Sequence, residues 1–513
     1  MHFNQNPFLI IGICFILFSI LFYHKEKRQL ALVLLILGSL GLGFFMATLD
    51  PFLQIWDEQF HALVAKNLID NPLKPVLYKK TLLDFGYENW TLNHIWLHKQ
   101  PLFLWQMALS LKTFGLNELA VRLPSVLLHA IIPLFIYRIG SISVNKNVGF
   151  YGALFFTVAY FPLELIAGKF MTDHNDVSFL FYVTASFWAW FEYQLSKNNK
   201  WLILIGLFSG CAVLVKWLVG LLIYSVWTIS IGADDRKKWL IWKSYLPIFK
   251  SFIVSLLVFV PWQLYISYSY PIESQHEYAL NTKHFLEVIE GHGGTIWFHY
   301  DAIQFLFGIG VLVPVILLIG IYLFAKQSIS KIYSVVIVSS VLIIYLFYSI
   351  ASTKMVSFCI VISPIIFLGL GAMVDKFLTI LTKKRFFISS IILIIICNFL
   401  IRLPKIEANH TNIDIEYYMN FQSKTTNMKM IHKLKATLGE KNFVVFNTNE
   451  MRDFCAVPVM FYTNYCAYDF IPNEKQLADI QKKGVSIAIL DNGKLPSYIL
   501  NQKDIIKIGL IPN

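Results

Sequence analysis

Charge is scarce in this sequence. Asp, Glu, Lys and Arg make up 14% of its 513 residues, where soluble proteins carry about 25%, and that shortage excludes an ordinary water-soluble globule. A basic stripe is also missing. The formal charge of +12 is broken into short Lys and Arg clusters between apolar runs, which offers no continuous footprint for nucleic acid. Cysteine is sparse, at six. Cys14, Cys211, Cys359 and Cys397 sit inside apolar runs, where sulfur packs as a small hydrophobe. Cys455 and Cys466 lie in a polar tail and are placed to pair only if that tail faces an oxidising compartment. The sequence has no GxGxxG after a strand, no P-loop, no GxSxG, no HExxH and no Cys-rich metal signature, so a soluble nucleotide enzyme is not supported.

What is present is apolar. Hydrophobic residues make up 57% of the chain and mean hydropathy is +0.59, the composition of a polytopic membrane protein. The first run, NPFLIIGICFILFSILFY, is followed rather than preceded by charge (HKEKR) and reads as a retained span, not a removable signal. Spans are expected at 7–23, 29–49, 121–139, 148–166, 177–195, 201–215, 217–231, 248–266, 302–324, 332–350, 356–374 and 386–402, about twelve in all. The pair around Lys216 is short and could instead form one long or broken helix. With HKEKR in the cytoplasm, alternation puts Arg138 with Lys146, LSKNNK, DDRKKWLIWK, KQSISK and LTKKR on the same side, as the positive-inside rule requires.

The loops left for the other face hold the polar chemistry. They are 50–120, with Asp57 and Glu58; GKFMTDHND at 168–176; Lys216 at a hairpin tip; 267–300, rich in His and Glu; STK at 352–354; and the chain after 403. PLFLWQMALSLKTFG (101–115) is expected as a helix lying at the interface, since counting it as a span would reverse every later loop. The resulting division is a membrane domain over 1–404 and a small extracytoplasmic α/β domain over 405–513, whose FVVFN, VSIAILD and IIKIGLI have strand length and whose NEKQLADIQKK has helical spacing. Ionisable groups at span ends suit an enzyme site at the membrane surface. A transporter or lipid flippase, the alternative, more often keeps them at mid-span.

Asp57 is a candidate general base, against the plainer reading that Asp57 and Glu58 only favour the N-terminus of a short helix. Lys99, Lys216 and Lys354 are candidate phosphate ligands, because a lone lysine among apolar neighbours either snorkels or meets an anion, and lipid phosphate is the anion at that depth. His94, His98, His276, His284, His292 and His299 lie in the same loops and leave a divalent metal open.

The succession WDEQFHALVAKNL, LHKQPLFLWQMALSLKTFG, NELAVRLPSVLLHA, AVLVKWLVG, SIASTKMVSF resembles, over about residues 30–375, the integral membrane glycosyltransferases of the GT-C fold. It is most similar to the bacterial aminoarabinose transferase and protein O-mannosyltransferase group (families 39 and 83). The resemblance implies transfer of a sugar, with inversion, from a polyprenyl-phosphate carrier to a lipid or protein acceptor on the periplasmic face of a bacterial inner membrane. It implies that Asp57 is the catalytic base with Glu58 beside it, that Lys99, Lys216, Lys354 and His284 bind donor phosphate, and that Arg122, Asp173 (with Asp176 a rival), His98 and His292 are further site residues. The chain departs from the pattern where a metal-binding glutamate and histidine are expected, at His98 and Asn281, where arginines are expected, at Phe60 and His284, and at Phe358 in place of a tyrosine. Those departures bear on the metal and on the identity of the sugar; the base and three lysines are kept.

Overall fold

The computed structural model of the chain describes residues 6–169, 173–308, 310–380, 385–411, 421–440, 442–451 and 455–511. Its apolar runs become helices α1 (Pro7–His24) and α2 (Arg28–Ala47), and the first long loop supplies α3 (Asp57–Leu68) and α4 (Pro101–Phe114). Six more follow: α5 (Glu118–Ser143), α6 (Lys146–Thr157), α7 (Tyr160–Ile166), α8 (Asp173–Ser196), α9 (Asn199–Lys216) and α10 (Leu222–Ser230). Then come α11 (Leu246–Ser269), α12 (Pro271–Leu286), α13 (Phe298–Phe307), α14 (Val313–Gln327), α15 (Lys331–Ile350), α16 (Ser363–Ile380) and α17 (Arg385–Ile401). The tail holds α18 (Leu403–Thr411), α19 (Phe421–Leu438), α20 (Ala456–Tyr462), α21 (Glu474–Lys482) and α22 (Ser497–Leu500).

The chain forms two compact units, one of Met1–Leu49, Lys99–Phe103 and Arg122–Ile406, the other of Asp50–His98, Leu104–Val121 and Glu407–Asn513. The first unit is helical and lipid-compatible. Large apolar side chains stay exposed along its helices, such as Leu257 and Leu318, as expected where acyl chains rather than water are the neighbours. Helix pairs close through small residues: a Cβ on Gly41 would stand 2.7 Å from Gly12 Cα, so α1 and α2 meet backbone to backbone. Among the described residues eight stretches are long and apolar enough to cross a bilayer, nine if α6 and α7, bent by 50°, count as one.

Two expected spans take other forms. The run at 302–324 is broken into α13 and α14 around Gly308, and α8 is less apolar because its first turn carries Asp173, His174 and Asp176. The expected pair around Lys216 lies in Asn199–Ser230, a single stretch of 32 residues by composition. Within it Ser209 Oγ donates to Gly220 O at 2.7 Å, residues that a continuous helix would hold about 16 Å apart. The stretch therefore doubles back at Lys216, as a hairpin rather than one long helix. The 14 residues of α4 rise about 21 Å, short of the ~30 Å hydrocarbon core.

In the second unit the tail builds a four-stranded parallel sheet of order β2-β1-β3-β4, from β1 (Phe443–Phe446), β2 (Cys466–Ala467), β3 (Ser486–Asp491) and β4 (Ile505–Gly509). Three of these are the expected strands, and α21 is the expected helix, opened by a capping box between Asn473 and Gln476. A parallel sheet needs cover on both faces, and the first long loop supplies part of it. Tyr78 stacks on Tyr468 at 5.2 Å and Phe85 packs against Tyr468 and Phe470. Lys66, on α3, donates to the carbonyls of Met460, Phe461 and Thr463 at 2.8, 2.9 and 2.6 Å. Cys455 and Cys466 are buried free thiols, so the pairing open to them in the sequence is not made.

Candidate functional site

In the second unit the adjacent carboxylates Asp57 and Glu58 part company. Successive positions on a helix diverge by about 100°, so one acid of the pair turns inward. Glu58 is fully buried and its Oε2 accepts the Gln54 backbone N–H at 2.5 Å, which makes it a staple for the turn before α3. Asp57 is half-buried at the first position of α3, where the helix dipole favours negative charge. Before it, Trp56 holds φ 70°, ψ −125°, a conformation that costs a bulky residue of order 1–3 kcal/mol and persists only where its surroundings impose it.

The turn carrying Asp57 is braced by residues that sequence reasoning did not single out. Asp50 is buried and accepts from Gln54 Nε2; its Oδ2 lies 3.2 Å from His410 Nδ1 and 3.5 Å from Lys424 Nζ. Lys424 also donates to Gln54 Oε1 at 2.8 Å. His410 and Lys424 are 360 and 370 positions away from their partners, beyond any local pattern. His98 lies face to face with Trp90 at 4.7 Å and against the edge of Trp96. No group of three His, Cys, Asp or Glu that could hold a metal occurs among the described residues.

The first unit holds the cations. Lys216 ends α9 because the next residue, Trp217, takes φ 62°, ψ −156°; the break sets the ammonium at the hairpin tip. Its Nζ pairs with Asp176 Oδ1, the carboxylate being 2% exposed, and stands 5.0 Å from the centre of the Phe358 ring. Of the two aspartates considered for this loop, Asp176 is the partner of Lys216, and the side chain of Asp173 lies outside the described residues. Asn175 ties the two helices further by donating to Val215 O at 3.1 Å, and His174 Nδ1 meets Ser125 Oγ at 2.8 Å.

Around that pair the loops expected from sequence come together. Trp217 stacks on Tyr278 at 5.4 Å, Tyr278 donates to Gln263 at 3.0 Å, and Gln263 donates to Gln100 at 2.8 Å, the neighbour of Lys99. Lys99 is half-buried, and its ammonium makes neither a hydrogen bond nor an ion pair with any described residue. The STK segment is zipped to the His-rich loop: Thr353 N donates to His284 O at 3.0 Å and Lys354 N to His292 O at 2.8 Å. Phe358 in turn packs on Tyr348 and His299. His299 is fully buried, and burial first, then the charge of Lys354, lowers its pKa from 6.5 to about 4.

Two candidates are engaged elsewhere. Lys354 donates to Tyr348, Ser349 and Ala351 carbonyls at 3.3, 2.9 and 2.5 Å. All three ammonium hydrogens are thereby used at the C-terminus of α15, where a cation is favoured, and Lys354 offers a ligand charge rather than a free donor. Arg122 is buried and donates to Ala47 O at 2.9 Å, a cap on the end of α2.

Comparison with known proteins turns on this arrangement of spans, hairpin and loops. The model of the dolichyl-phosphate-mannose-protein mannosyltransferase family matches residues 98–265. ArnT from Cupriavidus metallidurans, solved with undecaprenyl phosphate, superposes with a TM-score of 0.57 at 13% identity, covering 84% of this chain and 73% of that one. The fold is that of the GT-C membrane glycosyltransferases. The GT-C architecture is shared with the oligosaccharyltransferase AglB from Archaeoglobus fulgidus, solved with an inhibitory peptide and a dolichol-phosphate, at a TM-score of 0.52 and 10% identity over 90% of this chain and 69% of that one. An uncharacterized protein of Aquifex aeolicus is 28% identical over 173 residues, 32% of this chain and 31% of the relative, so the chain matches about a third of that relative's length. At these identities the structural likeness establishes the fold.

Proposed function

We propose that this GT-C protein is an inverting glycosyltransferase that moves a sugar from a polyprenyl-phosphate-linked donor to a lipid or protein acceptor on the non-cytoplasmic face of the membrane, the periplasmic face of a bacterial inner membrane. The observation that carries the reading is Lys216, a cation set by a strained break at a hairpin tip over Phe358 and paired with the buried Asp176. The Asp176 carboxylate takes one of the three ammonium donors of Lys216 and leaves the others for a second anion, and the phosphates of undecaprenyl and dolichyl carriers, present in the solved structures of similar fold, are anions of the right kind.

The roles follow from the partners. Lys99, with no polar partner of its own, and Lys216 take the donor phosphate; Lys354 and the loop bearing His284 and His292 add positive charge and shape behind them. As the glycosyl bond breaks, negative charge grows on the leaving phosphate, and these preplaced cations stabilise it without reorganising. No proton needs to reach the leaving group. Asp57 takes the proton of the acceptor hydroxyl or amine as its nucleophilic atom attacks the anomeric carbon from the opposite side, so one displacement inverts the centre. Glu58, Asp50, Gln54, His410 and Lys424 hold the turn that presents Asp57 and do not touch substrate.

The test is to incubate the purified protein with polyprenyl-phosphate-linked sugars and a cell envelope fraction and to follow the envelope molecules by mass spectrometry. A mass gain of one sugar on a lipid or protein, with release of polyprenyl phosphate, is expected. Absence of any sugar gain across hexose and pentose donors overturns the reading.

A further inference from the structure

Arg402 and Lys405 form a cationic pair that no role above uses. They close the apolar stretch Phe387–His410, whose mean hydropathy is 2.2, where a charge without an anion is costly. Arg402 is 6% exposed and takes φ 49°. Two of its nitrogens donate to Gln304 O at 2.8 Å and Phe305 O at 3.1 Å, in the last turn of α13, and its guanidinium lies 5.2 Å from the centre of the Tyr160 ring. The third nitrogen, Nε, is buried with no hydrogen-bond partner among the described residues.

Lys405 stands on the same ring. Its Nζ is 5.2 Å from the Tyr160 centroid and 4.4 Å from that of Phe305; the ammonium makes no hydrogen bond or ion pair with any described residue. Of the charged groups that act on it, Arg402 repels and Glu164 attracts. Two cations therefore share one aromatic ring with a single carboxylate near, and both keep an unused donor. Cation–π attraction offsets part of that cost, but it leaves the N–H groups unsatisfied, and an unsatisfied buried donor costs about 1–3 kcal/mol. A group with several negative oxygens would satisfy both.

We propose that Arg402 and Lys405 form a second anion site that takes the phosphate ester of a membrane lipid. The site is separate from the Lys216 cluster, though both touch α13: Phe305 packs under Lys405 and His299 beside Phe358, six residues or about 9 Å apart along the helix. Phosphate ester is the shared chemistry of two sources, an anionic phospholipid and a polyprenyl carrier. The inference does not depend on the transferase reading.

The experiment uses the full-length protein in nanodiscs of phosphatidylcholine, with phosphatidylglycerol or a polyprenyl monophosphate added, and native mass spectrometry to count lipids retained after release. Wild type is expected to keep a phosphatidylglycerol, or a second polyprenyl phosphate beyond the one at Lys99 and Lys216. Lys405→Gln should lower that retention about fivefold, the worth of one lysine near a lipid phosphate, and Lys405→Arg should restore it. Lys99→Gln, which probes the donor site, should leave phosphatidylglycerol retention at the wild-type level. Retention of only one of the two lipids assigns the source. Equal retention of phosphatidylcholine, or Lys405→Gln behaving as wild type with both lipids while remaining folded, overturns the proposal.

Discussion

The charges around the turn of Asp57, in the second unit, and those at the Lys216 hairpin tip, in the first, are partnered to different degrees. In the second, Asp50 is surrounded by Gln54, His410 and Lys424, and Lys66 by three carbonyls; these charges are satisfied and hold a loop to a tail. In the first, Lys216 has one carboxylate and an aromatic face, Lys99 has no polar partner, and Arg402 keeps an idle N–H. A fully paired network rigidifies; an underpaired cation waits for a ligand. The contrast accords with the proposed reading, in which Asp57 serves as base and Lys99 and Lys216 meet phosphate.

Four perturbations break or sharpen that contrast. The largest effect is expected from Asp57→Asn, which removes the acceptor's base and should lower transfer by about 10²–10⁴-fold, read as sugar incorporation, with an unchanged melting midpoint. Next is Lys216→Met, which leaves Asp176, 2% exposed, without its cation. Breaking such a buried pair costs about 3–5 kcal/mol, so thermal unfolding in detergent should shift strongly, and adding Asp176→Leu should recover most of the shift without recovering transfer.

The third is a pH effect. His299 is held neutral down to about 4, against 6.5 when unfolded, so the unfolded chain binds more protons between those values and stability falls as pH drops through that window. The full loss is up to roughly 3 kcal/mol. His299→Gln should flatten the decline in melting midpoint between about pH 6.5 and about pH 4 that wild type shows. The smallest is Lys99→Gln. With no partner to lose it should leave stability within about 0.5 kcal/mol while raising the donor KM about tenfold, the worth of a charge-assisted hydrogen bond.

Much of this was legible before any coordinates. A lysine with apolar runs on both sides marks itself, and Lys216 proved to be the tip of a hairpin because Gly220 can lie against Ala212 and Val213. The strands of the tail showed by their length and branched residues. What stayed hidden is what depends on distance along the chain or on backbone carbonyls. Nothing local says that Asp176 meets Lys216, 40 positions later, that His410 and Lys424 reach back to Asp50, or that Lys354 directs its donors to the end of α15. The break of 302–324 into α13 and α14 was equally unreadable, since both halves are apolar.

The division of labour is tested most directly by measuring donor binding and transfer side by side in Asp57→Asn and Lys99→Gln, with a polyprenyl-phosphate-linked sugar and full-length protein in nanodiscs. Asp57→Asn should bind the donor with the wild-type Kd and fail to transfer, while Lys99→Gln should bind about tenfold more weakly and still transfer at saturating donor. Normal transfer by Asp57→Asn, or donor affinity that falls with Asp57 and not with Lys99, would contradict the account.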